Sequence, residues 1–189
     1  MNASEAREHL EMIERIISAS SHKLETGAEY FVVWGLAGAA FDVVDTLAYG
    51  GRIPLGWLWV NFLILALAIG FTVVRSRTAG YAEKGRMSIL QREYLNVLWL
   101  AIAVAFVTSL IGFNLFALHG SMAVWNVVEA IVLFYIGMHG NRRAQICGLV
   151  MIVTIALANF MPSNTGFILA AGPLLGWGGF GIAELLAKA

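Results

Sequence analysis

The chain has 189 residues, 59% of them hydrophobic and 13% charged, with no net charge and a mean hydropathy of +0.77. Its charged fraction is about half the ~25% usual in soluble proteins, so the compact unit is expected to be a helical bundle in lipid. Zero net charge gives no reason to expect nucleic acid, and the single cysteine, Cys147, excludes an internal disulfide and a multi-cysteine metal site.

Residues 3–25 read as an amphipathic helix, so 1–27 form a cytoplasmic N-terminal unit and 28–189 the transmembrane domain. Ala3, Ala6, Leu10, Ile13, Ile17, Ser20 and Leu24 recur at three and four, a heptad-like seam. The other faces carry Glu5, Glu8, Glu11 and Glu14 against Arg7 and Arg15. A helix lying on anionic lipid has a polar face rich in Lys and Arg. This one does not, so Leu10, Ile13, Ile17 and Leu24 are read as a contact for protein: a cytosolic partner, a second copy or the underside of the bundle. The segment also lacks the basic start and apolar core of a signal peptide, and the first transmembrane helix is expected to act as an uncleaved signal.

Six apolar segments follow, at 28–49, 55–74, 94–118, 121–139, 144–161 and 165–187, each near the ~20 residues that cross a bilayer. With the N-terminus inside, eleven of the twelve Lys and Arg residues fall on the cytoplasmic side and only Arg52 outside. The positive-inside rule therefore gives an all-α, six-helix transmembrane bundle oriented N-in, C-in.

Segment 1 carries a stripe of Phe31, Gly35, Gly38, Asp42, Asp45 and Tyr49, in which the glycines admit a neighbouring helix. Segment 2 opens on Trp57 and Trp59, suited to an interfacial belt, with Asn61 one turn in. Segment 3 has Asn96 near its inner end and Thr108, Ser109 and Asn114 toward its outer end; a tight turn at His119-Gly120 leads to segment 4. Segment 4 holds Glu129 near its middle with Asn126 one turn earlier on the same face. Thr154 and Asn159 lie in segment 5. In segment 6, Pro173 predicts a kink, Gly172, Gly176 and Gly179 a face for tight packing, and Glu184 with Lys188 an ordinary i,i+4 pair. Val33-Trp34 and Val124-Trp125 occupy comparable places in the two halves, and each half carries acids later in its first helix, as an inverted repeat would.

By helical rise, Asp42 and Glu129 both lie about 12 Å from the outer ends, and Asp45, Asn61, Asn114 and Asn126 about 6–10 Å. A lone carboxylate at such depth costs roughly 2.5–3.5 kcal/mol or more, and no Lys or Arg lies within the segments to neutralise it. Either a carboxyl holds a proton, or a cation or water fills the space between them. Taken singly, each Asn, Ser or Thr reads more simply as glue between helices, at about 0.6 kcal/mol per bond.

Enzymatic motifs are missing. Asp42-x-x-Asp45 lacks the Gly, the Ala-Arg and the second acid pair of CDP-alcohol phosphotransferases, His119 and His139 are about 30 Å apart along one helix, and no phosphate-binding glycine loop is present. The sequence reads as a non-enzymatic protein of a bacterial inner membrane, with no cofactor and no metal. Its outward-facing polar cavity is expected to bind, and in the stronger form transport, a proton, cation or small cationic solute. Glu129, Asp42, Asp45, Asn126, Asn61 and Asn114 are the candidate ligand-binding residues, and Pro173, Gly172 and Gly176 the candidate gate. The alternative is an accessory or regulatory membrane subunit that contacts a partner through its N-terminal helix.

Overall fold

The structure is a computed structural model that describes residues 27–78, 89–112 and 117–187. Residues 1–26, where the N-terminal helix with Leu10, Ile13, Ile17 and Leu24 is expected, and Asn114 lie outside the described residues. Every regular element among the described residues is helical: α1 Ala28–Tyr49, α2 Trp59–Thr78 after a 3-10 turn at Leu55–Leu58, α3 Ile89–Gly112, α4 Ala117–Met138, and α5 Arg142–Phe160. The last segment is α6 Thr165–Pro173, a π turn at Leu174–Gly178, and α7 Gly179–Leu186. Five spans are long and apolar enough to cross a membrane: Ala28–Tyr49, Leu55–Thr78, Leu118–Met138, Arg142–Phe160 and Pro162–Leu186. The apolar part of α3, Glu93–Thr108, is shorter. These helices make the chain an integral membrane protein.

One turn differs from the sequence reading. The turn expected at His119-Gly120 lies inside α4, which begins at Ala117, while α3 ends at Gly112. Gly120 is tolerated there because one glycine costs an isolated helix only about 1 kcal/mol. The second turn is as its residues dictate. Gly140 takes a left-handed φ of 95°, and the Asn141 side chain then accepts from the amides of Arg143 (3.1 Å) and Ala144 (3.2 Å), capping α5.

The sixth segment is the hub. It packs against α1, α4 and α5, whereas α2 leans on α1 and α3 on α4. Water is absent from a bilayer core, so burial of apolar side chains gives little drive there, and close backbone approach and polar bonds hold the helices instead. The glycines of the hub show it. Gly166 lies against Thr46 of α1, Gly181 against Ala28 and Val32 of α1, Gly172 against Asn126 of α4, and Gly176 against Met151 of α5. From the other side, Gly35 of α1 seats on the backbone of Pro173 and Gly178. Gly179, expected on the packing face, meets nothing. Below this seam Phe31 closes the core against Trp177 (5.0 Å between centroids) and edge-on against Phe180 (4.9 Å).

Polar bonds fasten the flanks. Along the antiparallel pair α1 and α2, Arg75 Nε meets Glu29 Oε1 at 2.8 Å, Trp34 Nε1 donates to Thr72 Oγ1 at 3.1 Å, and Asn61 Nδ2 donates to Asp45 Oδ1 at 2.7 Å. Asn141 Nδ2 and Arg143 Nη1 both reach Glu184 Oε1, at 3.1 and 3.3 Å, tying the start of α5 to α7. Lys188, the partner expected for Glu184, lies outside the described residues. The outer faces stay apolar and open: Phe62 is 75% exposed on α2 and Trp99 67% on α3, as lipid-facing side chains are. The two halves are used differently, with α3 at the rim and its counterpart in any repeat, the sixth segment, at the centre.

The glycine contacts generate a paired prediction. Gly172→Ala is expected to lower stability by about 1–3 kcal/mol, because its new methyl meets Asn126 Oδ1. Gly179→Ala, with open space at the same place, is expected to be neutral or slightly stabilising. Thermal melting of both variants in one detergent checks the contrast.

Candidate functional site

The site forms where α4 meets the break in the sixth segment. Pro173 has no amide hydrogen, so the carbonyl four residues earlier, that of Leu169, loses its helical donor. In lipid an unsatisfied carbonyl costs several kcal/mol. Asn126 of α4 supplies the missing donor: its Nδ2 bonds Leu169 O at 3.3 Å and also the Met122 O of its own helix at 3.0 Å. Asn126 is fully buried. Its other amide atom, Oδ1, lies against Gly172, buried and without a hydrogen-bond partner. Thr154 Oγ1 of α5 borders the same glycine and donates to Met151 O at 2.7 Å.

One turn along α4 stands Glu129. The π turn brings Trp177 back over α4, where its Nε1 donates to the Glu129 backbone carbonyl at 3.1 Å. The Glu129 side chain runs toward α1. There Gly38 leaves room: a methyl on Gly38 would stand 3.0 Å from Pro173 Cβ and 3.7 Å from Glu129 Oε1. Glu129 Oε2 is buried with no hydrogen-bond partner. Asp42, one turn beyond Gly38 on the same face of α1, is near enough for the two carboxyls to act on each other electrostatically. The acid stripes of segments 1 and 4 thus converge, with the proline break between them.

Asp45 departs from this group. It turns toward α2, bonds Asn61, and lines a separate groove between α1 and α2. The six candidate ligand-binding residues therefore resolve into a pair of acids with Asn126, a second pair Asp45–Asn61, and Asn114 outside the described residues. Of the expected gate, Pro173 breaks the helix while Gly172 and Gly176 sit in its tightest contacts. Thr154 and Trp177 belong to the site although sequence reasoning did not place them there. Trp177 lies four residues past Pro173, a spacing that gains meaning only once the π turn is known. Thr108 and Asn159, by contrast, take no part: Thr108 bonds the Val104 carbonyl of its own helix, and Asn159 is exposed.

Among the described residues, no group of three His, Cys, Asp or Glu side chains is placed to hold a metal ion. His139 Nδ1 lies 2.8 Å from the Tyr135 carbonyl at the end of α4. No protein-family model, curated protein or solved structure matches the chain.

The proline–asparagine link can be tested by a double-mutant cycle. Asn126→Ala alone is expected to cost about 1–3 kcal/mol by orphaning the Leu169 carbonyl. In a Pro173→Ala background, where residue 173 regains an amide for that carbonyl, the same change is expected to cost markedly less, a coupling of about 0.5–3 kcal/mol. Additive losses in melting experiments would show that the Asn126 bond does not compensate the proline.

Proposed function

We propose that the chain is a six-span protein of a bacterial inner membrane, with both termini cytoplasmic, that binds a proton, a cation or a small cationic solute between Glu129 and Asp42. The reading rests on one observation: Glu129 Oε2 is buried without a hydrogen-bond partner, and the charged group that acts on it is another acid, Asp42. The described ion pairs, Glu29–Arg75 and Glu184–Arg143, both belong to one end of the bundle. A carboxylate so placed is stable only if positive charge joins it, as a proton on the oxygen or a cation against it. Asn126 Oδ1, equally unpartnered, adds a neutral acceptor one turn away.

Orientation follows from the arginines. Arg75, Arg77, Arg142 and Arg143 gather at the end of the bundle where α1 and α5 begin, and Arg52 lies at the other, over the Phe167 ring at 5.4 Å. The positive-inside rule makes the first end cytoplasmic. The break at Pro173 is the part of the fold suited to move. A π turn and four nearby glycines can re-pack with small backbone changes, and broken helices form the substrate and ion sites of many transporters.

The experiment is a melting-temperature series on purified protein across pH and a panel of mono- and divalent cations and small amines. A ligand bound by the folded state alone stabilises it by about 2.7 kcal/mol at a hundred times its Kd. Saturable stabilisation in the wild type and its loss in a folded Glu129→Gln variant are the expected outcome. A flat response to every condition would sink the reading and leave the accessory-subunit alternative. Deleting residues 1–25 should then abolish association with a partner.

A further inference from the structure

We infer that the groove between α1 and α2 is a second site, which takes the ammonium headgroup of an amphiphile. It is independent of the Glu129 site and does not require that one to be correct. The groove has a volume of about 270 Å³ and is lined by Phe41, Asp45 and Tyr49 of α1 and by Asn61, Phe62 and Leu65 of α2, with Leu58 at its edge. That volume is near the lower limit for small-molecule sites, and suits a headgroup.

Three observations fix the chemistry of the occupant. First, the wall contains one carboxyl, Asp45, set among aromatic and aliphatic side chains. Asn61 Nδ2 holds Asp45 Oδ1 at 2.7 Å, and the second carboxylate oxygen has no protein partner among the described residues. Asn61 Oδ1 is itself buried and without a partner, a further acceptor that an N–H donor would satisfy. An oxygen left free on a fixed carboxylate calls for a charged N–H donor.

Second, Phe41, Tyr49 and Phe62 line the same groove as Asp45, and aromatic faces attract ammonium groups. Third, Phe62 and Leu65, the groove's apolar residues on α2, are 75% and 36% exposed along the flank of that helix. In a membrane protein this flank faces lipid. An occupant entering from there needs an apolar tail, to lie along α2, as well as its cationic head. Asp45 sits one turn, about 6 Å, from the end of α1 at Tyr49, a depth that an amphiphile's head can reach while its tail stays in the hydrocarbon. An ethanolamine phospholipid and a free alkylamine share this chemistry.

The test uses the full chain in neutral maltoside micelles, titrated calorimetrically with dodecylammonium chloride, with dodecanol and dodecyl sulfate as controls. The expected result is saturable binding of dodecylammonium alone. Asp45→Asn should weaken it at least tenfold, and Phe62→Leu, at an exposed position safe for folding, by about two- to fivefold. Asn159→Ala, at an exposed position outside both sites, should leave it unchanged. Wild-type affinity in both Asp45→Asn and Phe62→Leu, or equal binding of dodecanol, would overturn the site. Loss of binding in a folded Glu129→Gln variant would overturn it too, by assigning the amine to the other acids. Native mass spectrometry from bilayer discs of mixed ethanolamine and glycerol phospholipids separates the two sources. Ethanolamine lipid retained by the wild type and lost in Asp45→Asn supports the bilayer as source. Dodecylammonium binding without such retention supports a free amine at the same site.

Discussion

The fold hangs on a hydrogen bond that the sixth segment cannot make for itself. Pro173 removes the donor for the Leu169 carbonyl, and the bilayer interior offers no water in its place. Asn126 Nδ2 takes that role from a different helix. The bond therefore fixes the height and rotation of α4 against the hub. It also fixes everything that follows on α4 at helical spacing, above all Glu129. The same break sends the backbone through the π turn and swings Trp177 onto the Glu129 carbonyl, so a second polar bond from the hub locks the residue that carries the acid.

Close approach is the companion constraint. A proline ring in the middle of a membrane span needs a neighbour that yields space, and Gly35 and Gly38 of α1 provide it. Because Gly38 has no side chain, the Glu129 carboxyl can extend toward α1 and come within electrostatic range of Asp42. Acid, proline and glycine are thus parts of one arrangement. Larger residues at position 38 would push the carboxyl and the proline apart, and the orphaned oxygen would lose its enclosure.

Separation of the acids matters as much as their convergence. Asp42 and Asp45 are three residues apart on one helix, yet one turns to the buried junction with α4 and the other to the lipid-side groove with α2. A turn of helix spans 3.6 residues, so positions three apart differ by about 60° around the axis. That is enough to place two carboxyls in different environments when helices lie on both sides. Asp45 gains an amide partner and a place in the wall of a groove, while Asp42 gains a second acid.

Much of this protein was legible in its residues alone. Apolar runs of about 20 residues with few charges read as membrane helices, because a backbone in lipid must satisfy its own hydrogen bonds. Glu129, Asp42 and Pro173 stood out because a charge or a missing amide is costly at that depth, whatever the neighbours. The neighbours themselves were not legible. The stripe from Phe31 to Tyr49 reads as one face, but whether its acids meet α4 or α2 depends on which helices flank α1, and periodicity is silent on that. Nor could the sequence show that the sixth segment sits at the centre and α3 at the rim, since both are apolar on every side. The turn near residue 119 was misplaced for a related reason: Gly120 looks like a boundary, yet a helix held by its packing absorbs a glycine. Composition and spacing determined which groups are expensive in lipid. Tertiary packing alone decided which expense is met, as at Asn126 and Leu169, and which is left open at the Glu129 carboxyl, because compensation comes from residues forty or more positions away.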